Sequence, residues 1–270
     1  MSTIKVDRPR ETITRIALDR PEHLNAFTHE MLAELIDAFR EVSGDRRCRA
    51  IILTGVGRAF CAGVDLKRSG VDHWLEGRDP IEGRIEWAEY ITTLFNAVRR
   101  SSRPVIAAVN GAAVGGGFAL ALTAELRIGG TSARFADGFI RNGLSACELG
   151  TSYLLPRLIG AGRANDLMLT GRTVDAQEAE RIGLLNRLVP DERLQEEAVR
   201  YAETVAEHSP FALAMTKQIA NANLEATSLD NAMLLEMRTQ MLAVHTADSR
   251  EARSALLEKR SPDYTGYRTV

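Results

Sequence analysis

The sequence contains no apolar run long enough to cross a membrane, and Met1 to Arg8 lacks the apolar core of a signal peptide. A membrane-spanning or secreted protein is therefore not expected. Cysteine is scarce: Cys48, Cys61 and Cys147 are odd in number and widely spaced. That spacing argues against a disulfide framework and fits a reducing, cytoplasmic setting. The histidines (His23, His29, His73, His208, His245) are scattered, and neither HExxH nor CxxC occurs, so no bound metal is expected. No GxxxxGK[ST] loop is present to grip phosphates, and no GxSxG elbow to present a nucleophile. Gly55-Val56-Gly57 lacks the third glycine of a dinucleotide fingerprint, and Gly115-Gly116-Gly117 has the wrong spacing for one. Charge is nearly balanced at -2, which gives no basic face for nucleic acid.

The most informative stretch is Val105 to Ala124. Pro104 introduces the β-branched, alanine-rich run Val105 to Val109, which reads as a buried strand. Asn110-Gly111 turns the chain, and Gly115-Gly116-Gly117 leads into a helical segment, Phe118 to Ala124. A bare turn at a helix start presents backbone N–H groups at the positive end of the helix dipole, a place suited to developing negative charge. Tight helix–strand packing also favours glycine, so this stretch alone leaves both roles open. A second glycine-punctuated exit follows the strand Ala50 to Thr54, running from Gly55 to Leu66.

Elsewhere, Ile4 to Val6 and Thr12 to Leu18 alternate as an opening hairpin. Thr28 caps a helix carrying Met31, Leu32, Leu35, Ile36 and Phe39, which Gly44 stops. Ser69 to Arg84 reads as a polar loop, followed by a helix with Ile85, Ala88, Ile91, Leu94, Phe95 and Val98 on one face. Short strands are expected near Leu126 to Ile128, Arg134 to Phe139 and Leu185 to Val189, and helices over Leu149 to Leu158, Ala164 to Leu169 and Ala176 to Arg181. Alternating strands and helices indicate an α/β fold up to about Pro190. Beyond it, three helical segments are expected, the last bearing Met233, Leu234, Met237, Met241 and Leu242 as a core-packing stripe. Residues 1–205 are expected to form the core with the site, and 206–270 a helical appendage packing on the core or on a neighbouring subunit.

The segments Ala59 to Leu66 and Asn110 to Gly117 resemble the paired signatures of the crotonase (enoyl-CoA hydratase/isomerase) superfamily. Arg20-Pro21 with Leu24-Asn25-Ala26, Gly143-Leu144 with Leu154 to Gly160, Leu169 to Arg172, and Glu258 to Pro262 extend the resemblance over nearly the whole chain. It implies a spiral of ββα units with a C-terminal helical region that builds homotrimers, often paired into hexamers. It also implies acyl-CoA thioester substrates, with coenzyme A arriving as part of the substrate and no permanently bound cofactor. The thioester oxygen gains charge as an enolate forms, and two backbone donors stabilise it. By resemblance these are the N–H groups of Val64 and Gly116. Coenzyme A contacts would fall on Ala62, Asp65, Leu66 and Lys67; Lys67 and Lys259 could reach phosphates or be ordinary solvated lysines.

The sequence departs from the family where a hydratase carries its two glutamates: the corresponding positions are Ala119 and Phe139, which cannot transfer protons. On the following loop Glu148 lines up with an aspartate used by dienoyl-CoA isomerases. A lone carboxylate in an apolar pocket suits moving one proton between carbons, and Glu148 is the candidate acid/base ahead of a role at the following helix start. Asp137 is a weaker candidate near the acyl pocket, with a surface or turn role favoured over it; Glu125 reads as structural, and Cys61 and Cys147 as small buried packing. Two functions remain: an enolate-forming isomerase or hydratase, and a non-catalytic acyl-CoA binder. The acyl pocket is expected between Ser69 and Leu94.

Overall fold

The computed structural model describes residues 2–67 and 77–264. Ile4–Arg10 (β1) and Ile13–Leu18 (β2) pair antiparallel, as their alternation predicts. Three ββα turns then follow one another. Ala50–Gly55 (β3) and Ala59–Cys61 (β4) lead to Pro80–Arg100 (α2), Val105–Val109 (β5) and Ala112–Val114 (β6) to Gly116–Thr123 (α3), and Leu126–Gly130 (β7) and Arg134–Ala136 (β8) to Thr151–Ile159 (α4) and Ala161–Thr170 (α5). The first strand of each turn enters a six-stranded sheet and the second a four-stranded sheet. β3, β5 and β7 run parallel in one, β4, β6 and β8 parallel in the other. Thr173–Asp175 (β9) and Arg187–Val189 (β10) complete the edges, with Ala176–Arg181 (α6) between them.

The larger sheet is covered on both faces, which is why its central strands are apolar throughout. Ile51, Leu53, Val105, Ala107 and Val109 face the main core, together with Met31, Leu35 and Phe39 of His29–Gly44 (α1). Ala50, Ile52, Ile106 and Ala108 face Leu194–Ala206 (α7), through Leu194, Ala198, Val199 and Ala202. Thr28 caps α1 as expected, accepting the Met31 N–H at 3.3 Å.

Four expectations change. α2 begins at Pro80, inside the stretch read as loop, because Asp79 caps it by accepting from Ile81 and Glu82 N–H and Pro80 fits the first turn. Its inner stripe is Ile91, Leu94, Phe95 and Val98, while Ile85 and Ala88 are exposed. The part of the acyl-pocket expectation at residues 69–76 lies outside the described residues. With α7, Pro210–Asn223 (α8), Leu229–Val244 (α9) and Ala247–Glu258 (α10) make four α-helices beyond Asp191 among the described residues, where three are expected. The extra break is set by Thr246, whose hydroxyl caps α10 through the Ser249 N–H. Finally, the Met233 to Leu242 stripe does not pack in the core: α9 has no buried residue, and Met237 is 55% exposed.

Lys217 fixes α8 to the core. Its buried ammonium donates to the carbonyls of Val98 and Arg103 and pairs with Glu125 at 3.0 Å, so Glu125 is structural as read. Burial pulls the Lys217 pKa below its ordinary value, and the Glu125 charge opposes that shift.

Candidate active site

The first glycine exit is positioned by a buried polar clamp. Asn25 donates to the carbonyls of Val56 and Ala59 and accepts from the Arg20 N–H. Arg20, itself buried, donates to the Ala26 carbonyl at 2.6 Å and pairs with Asp65 at 3.1 Å. The Asp65 carboxylate also accepts the Lys67 N–H at 3.1 Å. Its negative charge is thus spent on holding the loop, a role beyond the coenzyme A contact expected of it.

Within this clamp Phe27 pairs with Val64 as a parallel bridge. Phe27 donates to the Gly63 carbonyl at 2.8 Å and accepts from Asp65 N–H at 2.9 Å. In a parallel bridge the residue between those two contacts turns its own N–H to the opposite side. The Val64 N–H is therefore kept out of the ladder and directed away from Phe27. Gly63 makes this geometry possible at φ +94.

The second glycine exit meets the first. Gly115 caps α3 with φ 53 and ψ -117, and its N–H donates to the Ala136 carbonyl at 3.0 Å. Gly116 opens α3, so its N–H has no acceptor within the helix. A Cβ on Gly63 would lie 3.3 Å from the Gly116 nitrogen, so the two exits are in van der Waals contact. Gly117 locks the approach: a Cβ there would fall 2.0 Å from the Cys61 carbonyl oxygen. Every residue of α3 is buried, so its positive end acts in a dry setting. The structure thus brings the segment of Gly63 and Val64 against Gly116, and the glycines permit that close packing.

Apolar side chains wall this point. A Cβ at Gly116 would stand 3.2 Å from the Phe27 ring and 3.6 Å from Leu149, and one at Gly115 would stand 3.9 Å from the Phe139 ring. Ala119 is fully buried and Phe139 half-buried, so the two hydratase positions offer no proton carrier. Cys61 is buried as expected, and burial pushes its thiol up to about 12. Cys147, expected buried, is exposed, because its loop turns outward ahead of Leu149.

Glu148 is exposed rather than enclosed in an apolar pocket. Its carbonyl accepts the Thr151 N–H at 2.9 Å, and Leu149 and Gly150 follow with φ 50 and 84, turning the chain into α4. The side chain is left at the surface one residue before Leu149, which touches the glycine turn. Ala62 is half-buried, while Leu66 and Lys67 are exposed. Lys259 is exposed at the C-cap of α10 with φ 54, and no hydrogen bond or ion pair among the described residues ties it to the Ala62 to Lys67 segment.

Asp137, read as a surface or turn residue, is 1% exposed. Neither carboxylate oxygen has a hydrogen-bond partner among the described residues. Burial pushes its carboxyl up to about 6; the Phe139 N–H opposes the shift without completing a hydrogen bond. Asp137 lies one residue past β8, in the run Phe135 to Gly138 that is buried throughout, so alternation along the strand gives no sign of it.

Comparison with known proteins identifies the family. A sequence model of the enoyl-CoA hydratase/isomerase family matches residues 8–267. The probable enoyl-CoA hydratase EchA12 of Mycobacterium tuberculosis is 42% identical over 98% of this chain and 93% of its own length. The 1,2-epoxyphenylacetyl-CoA isomerase of Escherichia coli is 39% identical over 94% of this chain and 95% of its own. The crystal structure of a probable enoyl-CoA hydratase/isomerase from Mycobacterium abscessus superposes with a TM-score of 0.91 at 39% identity, covering 99% of this chain and 100% of that one.

Proposed function

This chain belongs to the enoyl-CoA hydratase/isomerase family, and from that premise we propose that it converts an enoyl-CoA through a thioester enolate held by the backbone N–H groups of Val64 and Gly116. The observation that carries the reading is the contact between the two glycine exits, with one N–H excluded from its strand ladder and the other at the buried start of α3. Each such donor, aimed where charge develops and shielded from water, is worth about 3 kcal/mol in the transition state.

Double-bond isomerisation suits the residues better than hydration. Hydration needs one group to hold water and another to handle the proton, and Ala119 and Phe139 supply neither. Isomerisation needs a proton removed from one carbon and a proton delivered to another. A relative that bears an isomerase name, at 39% identity, supports the same preference. Glu148, beside the Leu149 wall, is the proton carrier within reach of solvent. Ala62, Asp65, Leu66 and Lys67 border the coenzyme A path on one side of the donors, and Lys67 and Lys259 supply cations for its phosphates. Coenzyme A enters and leaves with the acyl group.

Residues 206–270 serve assembly on this reading. α9 exposes Met233, Met237, Met241 and Leu242 together, a face that a second and third copy of the chain would cover to form a trimer.

Replacing Glu148 with Gln tests the proton assignment: turnover of enoyl-CoA is lost while acyl-CoA binding stays within about threefold. Undiminished turnover contradicts it. The absence of both family glutamates also favours a second reading, an acyl-CoA binder without turnover, which a panel of acyl-CoAs separates from the first.

A further inference from the structure

Asp137 is a costly residue to bury, and the fold makes no use of its charge. No ion pair, backbone amide or hydroxyl among the described residues satisfies either oxygen. The elements around it offer no counter-charge. α3 and β6 carry no titratable group. On β8, Arg134 is exposed and donates to the Thr131 and Ala133 carbonyls. Arg141 donates to the Thr173 hydroxyl, Asp175 caps α6 through Glu178 N–H, and the Glu178 carboxylate is held by Arg172. An apolar side chain would fill such a purely structural position at lower cost.

Its surroundings give the carboxylate a use. Asp137 directly follows Ala136, whose carbonyl accepts the Gly115 N–H at the start of the donor turn. The next residue, Gly138, is pressed on that turn: a Cβ there would lie 2.8 Å from Val114 and 3.5 Å from the Gly115 nitrogen. Phe135, two residues before Asp137, packs its ring 6.0 Å from that of Phe118 on the glycine helix. On the other side of the turn, Leu149 brings the Glu148 loop against Gly116. Two carboxylate-bearing loops thus flank one pair of oxyanion donors, one carboxylate dry and one in water.

We propose that Asp137 is a second catalytic carboxylate, the buried group that takes the proton from the carbon next to the thioester. The proposal rests on the enolate reading of the Val64–Gly116 site. In the step, ionised Asp137 accepts the proton, and the C–H electron pair becomes the enolate double bond as charge passes to the thioester oxygen. For isomerisation, a proton drawn from solvent by way of Glu148 is then delivered to the carbon two bonds farther along, and the double bond moves into conjugation with the thioester. Asp137 ends neutral, and its loss of one proton to water balances the proton drawn from solvent.

The test compares wild type, Asp137→Asn, Asp137→Leu and Glu148→Gln. Each is incubated in deuterium oxide with acetyl-, butyryl-, octanoyl- and phenylacetyl-CoA, and α-deuterium is read by mass spectrometry, with acyl-CoA affinity and Tm in parallel. The expected result is exchange in the wild type, loss of at least about 100-fold in both Asp137 variants, and retained exchange without net turnover in Glu148→Gln. Affinity stays within about threefold. Asp137→Leu melts at the wild-type temperature or roughly 3 °C above it, since an unpartnered carboxyl has been removed. Wild-type exchange rates in either folded Asp137 variant overturn the proposal and leave the enolate site standing. Absence of exchange in the wild type with every acyl-CoA overturns the enolate reading and this role together. Unfolding of both variants assigns Asp137 a structural part and also overturns the proposal.

Discussion

Gly63 faces Gly116 so closely that a Cβ on the first would lie 3.3 Å from the nitrogen of the second, and 2.9 Å from the Val114 carbonyl oxygen. Gly63 also holds φ +94, a left-handed conformation that L side chains resist. Gly63→Ala therefore strains the backbone and pushes a methyl between the two proposed donors. Turnover is expected to fall at least about 100-fold, the scale of one lost oxyanion donor. Stability is expected to drop by about 1–3 kcal/mol. Steady-state kinetics and thermal melting on the same preparation check both.

Asp137 ties stability to pH. Its carboxyl rises from 3.8 to about 6 in the folded protein, chiefly through burial. Between those values the folded state keeps a proton that the unfolded chain has released. Stability contributed by the neutral form is therefore present below about pH 4 and lost as pH rises through about 6. The loss is on the order of 3 kcal/mol. Asp137→Asn removes this group's slope, so the difference in unfolding free energy between variant and wild type should grow in the variant's favour from pH 4 to 6.5. Denaturant unfolding at a series of pH values measures it.

Lys217 reaches from α8 to the core and is held by two carbonyls and Glu125. Lys217→Met leaves Glu125 without its ion-pair partner and two carbonyls without this donor. With the Glu125 side chain 20% exposed, water recovers part of the loss. The expected cost is about 2–3 kcal/mol, read as a lower denaturation midpoint, with the helices after Asn223 becoming more open to hydrogen exchange.

The exposed face of α9 predicts assembly. Met237→Glu with Leu242→Glu places charges where copies would meet, since Met237 and Leu242 are 55% and 65% exposed in the single chain. Sedimentation velocity should show a trimer or larger species for the wild type and a monomer for the double variant. A monomeric wild type contradicts the assembly role of residues 206–270.

The order of elements was legible because local chemistry punctuates it. Thr28, Gly44 and the strand Val105 to Val109 stand where periodicity and caps place them. The meeting of the two glycine turns is legible because only glycines tolerate the contacts that Gly63 and Gly117 make. What escaped depends on the third dimension. Asp137 is one polar residue just past a strand end, and nothing local distinguishes a turn from a core position until the tertiary fold buries it. Apolar spacing runs on past His245 and so joins α10 to α9 in the sequence, although Thr246 carries a capping hydroxyl. The Met237 stripe reads as core in the sequence because periodicity reports an apolar face and not what covers it. The resemblance puts Glu148 in an apolar pocket, whereas its side chain is exposed ahead of the left-handed pair Leu149–Gly150.

The central claim is that Val64 and Gly116 stabilise an enolate. Solvent deuterium exchange at the α-carbon of acyl-CoA, compared between wild type and Gly63→Ala, tests it most directly because exchange requires the enolate and no later step. The account predicts exchange by the wild type and a rate at least about 100-fold lower in the folded variant. Equal rates in the two proteins, or no exchange by the wild type with any acyl-CoA tried, contradict it.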